Sequence, residues 1–339
     1  MGVVSGARGL LAALRARPRL LRGLEIGFAL AVVGLCAYVL ATQWRRAAPT
    51  LEDANYAYFA LALAVISAYY LVFILGWIRI LATWNVRVPY RAALQSEMVS
   101  MIAKYVPGGV WAPASRVAAL ERLTGEKNTA AILAAILVEA LLSALSGIVV
   151  FVVSLAWVPA VDAPLWPLIF FAVACALILH PRIFRPAAGR ILKAFGVPEL
   201  EPLPFPTMLV LLVFYCGTWL IGGFGLYFII RSVHADPGLS SIPFLGGVAA
   251  IGAIVAVVVV FAPGGIGVRE ASMVGLLVSV ISTTEAVSAV ILNRLAITLV
   301  EVGLFFIGVL LWRFRKPPVA KAVRDAPRGS ELGDEVVET

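Results

Sequence analysis

Two apolar segments of this chain are interrupted by the same tripeptide, Pro-Gly-Gly, each time just ahead of an arginine. The first reads Lys104-Tyr105-Val106-Pro107-Gly108-Gly109-Val110-Trp111, with Arg116 beyond it. The second reads Phe261-Ala262-Pro263-Gly264-Gly265-Ile266-Gly267-Val268-Arg269-Glu270. Proline removes a backbone donor and glycine frees φ, so each copy is expected to break a helix. Around them the chain is 62% hydrophobic and 14% charged, with mean hydropathy +0.99. That composition belongs to an integral membrane protein. Broken backbone at membrane depth is tolerated only where protein buries it or a polar cavity meets it. Two such breaks at matching places in two halves point to a transport site between repeats.

Full spans are expected at 24–42, 56–82, 129–157, 165–180, 207–231 and 285–312, the fourth being the shortest. Segments 91–122 and 243–283 hold the two breaks and read as hairpins that enter and leave on one side. The second also reads as two nearly full spans, since 243–262 is about 20 residues, the length that crosses a bilayer. The first span follows Arg8, Arg15, Arg17, Arg19 and Arg22. It is longer than a signal h-region and reads as a retained helix.

With the N-terminus in the cytoplasm, that side also receives Arg79, Arg87, Arg91, Arg122, Lys127, Arg182, Arg185, Arg190, Lys193, Arg313, Arg315 and Lys316. The other side receives only Arg45, Arg46 and Arg231. The asymmetry sets both termini inside. The net charge of +8 is therefore a topology signal and implies no nucleic-acid partner.

The map divides into a basic segment 1–23, a membrane repeat 24–157, a connecting segment 158–206, the remainder of a second repeat 207–316, and a polar tail 317–339 read as disordered. The second repeat begins at about 165, with two spans, a hairpin and a span in each half. Three crossings per half is odd, so the second half is inverted relative to the first. Pro107 lies 32 residues before Glu139, and Pro263 lies 38 before Glu301. The expected fold is an all-α polytopic membrane protein with about six full spans, two broken hairpins and two inverted repeats.

Ionisable residues inside spans are costly and tend to be functional. Glu97 and Lys104 precede the first break and Arg116 follows it; Arg269 and Glu270 follow the second. Glu139 shares a helix face with Ser143 and Ser146, and Arg294, Thr298 and Glu301 share another. One reading pairs these charges with each other and locks the bundle. The other gives an anionic headgroup to Arg116 and Arg269, with Lys104 beside them. There helix N-termini and the planar guanidinium fork suit a phosphate. Glu139, Glu270, Arg294, Glu301 and Glu97 then balance or gate the site, with carboxylates taking up protons. Gly217, Gly222, Gly223 and Gly225, like Gly246 and Gly247, read as sites of close helix packing.

Cys36, Cys175 and Cys216 form no CxxC pair and read as small buried hydrophobes. No nucleophile set, phosphate loop, DxD pair or metal cluster can be assembled, so no enzyme, cofactor or metal is expected.

At the two Pro-Gly-Gly motifs and their arginines, the chain resembles the lysylphosphatidylglycerol synthase transmembrane-region family, also described as flippase-like membrane proteins. The resemblance spans about residues 20–316. It implies a multi-pass protein of the inner membrane that moves or binds lipids. Some members fuse this region to a soluble aminoacyl-transferase, and none is expected here after residue 316. The function expected is a lipid flippase or transporter for an anionic phospholipid or lipid-linked headgroup. The alternatives are a membrane partner subunit of a lipid-modifying enzyme, or a synthase or transferase. A membrane lipid is the expected substrate, with a homodimer or a lipid-modifying enzyme as possible partners.

Overall fold

The computed structural model describes residues 34, 37–105, 111–156, 158, 166–180, 182, 203–258 and 267–313. These residues form helices and connecting turns, with no strand among them. Helix α1 covers 37–52. It is followed by α2 (Tyr56–Thr83), α3 (Tyr90–Ser100, continued by a 3-10 turn Met101–Tyr105), α4 (Trp111–Thr124), α5 (Thr129–Ser154) and α6 (Trp166–Leu179). Then come α7 (Phe205–Ser232), a 3-10 turn Leu239–Ser241 leading into α8 (Ile242–Val258), α9 (Val268–Leu277) and α10 (Thr283–Arg313).

Among the described residues, five helices are long and apolar enough to cross a membrane: α2, α5, α7, the stretch Leu239–Val258 and α10. Four of these coincide with expected spans. The fifth is the first arm of the expected second hairpin; its second arm, α9, has only 10 residues. At 1.5 Å per residue, α9 is about 15 Å long, half a hydrocarbon core of about 30 Å. The two arms of the second broken segment are thus unequal in length. The expected span 165–180 coincides with α6, which has 14 residues. Helix α1 runs past the expected end of the first span to residue 52. Residues 24–33, the basic segment, most of the connecting segment and the tail lie outside the described residues. So do Pro107, Gly108, Gly109, Pro263, Gly264 and Gly265.

Local chemistry sets the boundaries. Asn55 caps α2 by accepting from the amides of Ala57 and Tyr58, and Asn128 caps α5 by accepting from Ala131. Pro89 and Pro204 sit in extended conformation just before α3 and α7, where a missing donor costs nothing. Both α2 and α7 are 28 residues long, with starts 149 residues apart. Each ends on a left-handed residue, Asn85 (φ 59°) and His234 (φ 65°). The next amide then returns to the helix: Val86 N donates to Leu81 O at 3.0 Å, and Ala235 N to Ile230 O at 3.3 Å.

Helices α2 and α7 pack antiparallel. Gly76 faces Tyr215, Gly225 faces Ile66, and Asn55 N donates to Ser232 O at 2.8 Å. Two apolar cores lie at the two ends of this pair. Phe59, Ala62 and Ile66 enter one, with Leu226, Ile229 and the inner face of α8. Ile74, Trp77, Ile80 and Leu81 enter the other, with Leu120, Ile132, Leu142 and Leu211. Tyr69 and Tyr70 sit between the two cores.

Glycine brings α7 and α8 together. A Cβ on Gly223 would overlap the Ile242 carbonyl and lie 2.8 Å from Gly246 N; one on Gly246 would lie 2.6 Å from Trp219 O. Gly217, by contrast, faces open space. Gly223→Ala is expected to cost about 1–3 kcal/mol, because backbone rather than a flexible side chain must move. Thermal unfolding in detergent should show a clear loss for Gly223→Ala and little change for Gly217→Ala. Equal melting temperatures would refute the close approach.

Candidate functional site

The charges named from sequence fall into two clusters on either side of Tyr69. In the first, Arg116 of α4 is 5% exposed and lies between two carboxylates. Its Nε is 2.8 Å from Oε2 of Glu97 in α3, and its Nη1 is 2.6 Å from Oε2 of Glu139 in α5. The guanidinium lies 3.8 Å from the ring centroid of Trp77, held by α2. Tyr215 of α7 donates to Oε1 of Glu139 at 3.5 Å, reaching it past Gly76, which has no side chain to obstruct the phenol. Arg116 thus ties α2, α3, α4 and α5 together, and both Glu97 and Glu139 are its partners. Ser143 and Ser146 are buried on the Glu139 face, where the Ser143 carbonyl accepts from Trp219 Nε1 at 2.8 Å.

The second cluster is built around Glu301 of α10, which is fully buried. Lys104, at the end of the first broken arm, forms an ion pair with it, and Tyr70 donates to the same oxygen. Tyr105 donates to Oε2 at 2.9 Å. Two turns earlier on the same face, Arg294 lies 3.5 Å from Oε1 of Glu270 in α9. The other oxygen of Glu270 accepts from Gly267 N at 2.6 Å, closing the first turn of α9. Gly267 has φ 88°, which favours glycine. Thr298, expected on this face, is buried and spends its hydroxyl on the Arg294 carbonyl of its own helix. Glu301 and Arg294 on one helix therefore clasp the chain before the first break and after the second.

Arg269 differs from the other cations. It is half-buried, with its stem packed toward α8, where a Cβ on Gly252 would lie 3.3 Å from Arg269 Cγ. Among the described residues no carboxylate lies within ion-pair distance of it. It shares the electrostatic field of Arg294, Tyr70, Glu301, Glu270 and Lys104. The structure therefore separates the two arginines that trail the Pro-Gly-Gly motifs. Arg116 is enclosed by carboxylates, whereas Arg269 faces a cluster with, among the described residues, one more cation than carboxylates: Lys104, Arg269 and Arg294 against Glu270 and Glu301.

Sequence reasoning assigns no role to Tyr69, Tyr70 or Tyr215. A signal for the first two is present. Two adjacent tyrosines in the middle of a 28-residue apolar helix depart from the interfacial belt where tyrosine collects. Buried mid-span, a phenol needs a polar neighbour, and Tyr70 has Glu301.

No group of His, Cys, Asp and Glu among the described residues is arranged to hold a metal ion. No curated protein matches the chain. A family model described as Lysylphosphatidylglycerol synthase TM region matches residues 24–314. That span takes in both charge clusters and all the helices from α1 to α10. The protein acts in the membrane, in lipid modification or transport, and the chain belongs to the lysylphosphatidylglycerol synthase transmembrane-region family.

Proposed function

We propose that the protein is a lipid flippase or transporter that carries an anionic phospholipid or lipid-linked headgroup across the cytoplasmic membrane, without catalytic chemistry of its own. The observation that carries this reading is Arg269: a half-buried residue with no carboxylate partner among the described residues, in a cluster with an excess cation. A charge in such a place is costly until a counter-charge meets it. A phosphate supplies two acceptor oxygens matched to the guanidinium fork. Lys104, whose side chain is 38% exposed, stands nearby as a second cation. Arg116 is assigned to holding the bundle rather than to the headgroup, since two carboxylates already occupy it.

The two-repeat architecture is part of the proposal. Helices α2 and α7 have equal lengths, the same left-handed ending and reciprocal glycine contacts, Gly76 on Tyr215 and Gly225 on Ile66. Residues 66 and 76 stand 149 positions before 215 and 225, so the two contacts exchange under the offset that superposes the helices in sequence. A two-fold axis in the membrane plane accounts for that exchange, as expected of inverted repeats. Both termini face the cytoplasm, by the arginine distribution.

The test is lipid identity. Wild type and Arg269→Ala are purified in mild detergent and their bound lipids compared by mass spectrometry. One anionic lipid class is expected to be enriched in wild type and lost in the variant, with both proteins monodisperse. The same lipids at the same levels in both would remove Arg269 from the site and shift the reading to a partner subunit of a lipid-modifying enzyme.

A further inference from the structure

The two clusters carry opposite excess charge. Arg116 faces two carboxylates, Glu97 and Glu139, while the cluster on α10 has three cations and two carboxylates. Between them stands Tyr69, within electrostatic reach of Glu97 and Glu139 on one side and of Arg269 and Glu301 on the other. Together the four cations and four carboxylates are neutral. The carboxylate in excess at Arg116 is therefore offset by the cation in excess at Arg269. In a poorly screened interior, that compensation acts across the intervening ring.

An anionic headgroup on Arg269 cancels the excess cation and leaves the excess carboxylate without its counter-charge. We propose that binding of an anionic lipid headgroup at Arg269 is coupled to uptake of one proton by the Glu97–Glu139 pair, an inference that rests on the headgroup reading above. The proton comes from solvent and adds to a carboxylate oxygen. Its charge cancels that of the headgroup, and the two clusters again sum to zero. Glu97, with a side chain 20% exposed, is the point of access, and Glu139 at 4% is enclosed. The ionisable groups facing the pair are Arg116 from α4, Tyr215 from α7, Tyr69 from α2 and, across the second cluster, Lys104, Arg294 and Glu301. Helix α8 has no ionisable side chain, and α6 has none but Cys175. Neither helix therefore offers a second base to take the proton in their place. Such coupling would make the proton gradient a driving force for lipid movement.

The experiment is isothermal titration of the full-length protein with dihexanoyl-phosphatidylglycerol, in Tris and in PIPES at the same pH. The phosphodiester of this probe does not titrate near neutrality. Buffers with different ionisation heats are expected to give different apparent enthalpies, corresponding to about one proton taken up per lipid. Affinity should fall by up to tenfold per pH unit as pH rises, because the bound state holds the extra proton. Glu97→Gln and Glu139→Gln each leave one carboxylate for one arginine, and each should abolish the buffer dependence. Two variants guard against misfolding of either one. Buffer-independent binding by wild type that is still lost in Arg269→Ala would overturn the proton coupling and leave the headgroup site intact. No binding by wild type would overturn both. Buffer dependence that persists in both glutamine variants would place the proton elsewhere and also overturn the proposal.

Discussion

Arg116→Ala is expected to lower the stability of the protein by about 3–5 kcal/mol, the cost of leaving buried charges without their partner. Removing this guanidinium leaves Glu97 and Glu139 with no cation in contact and takes the stacked group from the face of Trp77. The damage should reach four helices, because Arg116 touches groups from α2, α3 and α5 as well as its own α4. Thermal unfolding in detergent should show a large drop. Lipid enrichment should fall only in proportion to the folded fraction. The decisive comparison is the triple variant Arg116→Met/Glu97→Gln/Glu139→Gln, which removes the charges together. A buried ion network replaced by groups of similar shape is often tolerated. Recovery of most of the lost stability would show that the alanine effect comes from uncompensated charge. If Arg116→Ala unfolds no sooner than wild type but loses its lipid, the assignment of Arg116 to the bundle is wrong.

From sequence alone Arg116 and Arg269 are equivalents, because each trails a Pro-Gly-Gly. What separates them is the source of the nearest carboxylate. Arg116 meets Glu139 only 23 residues away, across the turn from α4 to α5, and Glu97 from the other arm of the same hairpin. Glu301, which stands 38 residues after Pro263, is taken by Lys104, 197 residues earlier. Arg269 is left beside it with no such partner among the described residues. A contact over that separation depends on how whole helices dock, and local spacing holds no trace of it. Face-sharing on a single helix is legible, since i, i+4 and i+7 follow from helix geometry: Arg294, Thr298 and Glu301 are all buried together. The apolar run lengths likewise locate α2, α5, α7 and α10 to within a few residues. The run 165–180 is legible too, as the 14-residue helix α6. The stretch 243–262 is legible as long enough to cross, and Leu239–Val258 forms a helix of that length. Gly246, Gly247 and Gly252 there are close-packing sites against α7, α5 and α9.

Glu301→Ala should have an effect as large as that of Arg116→Ala, for a different reason. Glu301 accepts from Lys104, Tyr70 and Tyr105, and all three lose their acceptor at once. Lys104 can turn toward its exposed side, but the two phenols are held by α2 and by the 3-10 turn. A buried donor without an acceptor costs about 1–3 kcal/mol. Two phenols plus the lost ion pair bring the expected destabilisation to about 3–5 kcal/mol. Glu301→Gln separates the contributions. An amide oxygen still accepts from one tyrosine, while the charge on Lys104 goes unmatched, so its melting temperature should fall between wild type and alanine. The double variant Lys104→Met/Glu301→Gln should then recover part of the loss, since the unmatched charge is gone. Glu301 also joins the segment before the first break to the helix whose Arg294 holds the segment after the second. Its removal should therefore loosen both. Amide hydrogen exchange should quicken in Met101–Tyr105 and, through Arg294 and Glu270, in the first turn of α9, with the far ends of α5 and α7 unchanged. Faster exchange spread evenly over all helices would mean that Glu301 stabilises the bundle as a whole, and that the two broken segments are not specifically coupled through it.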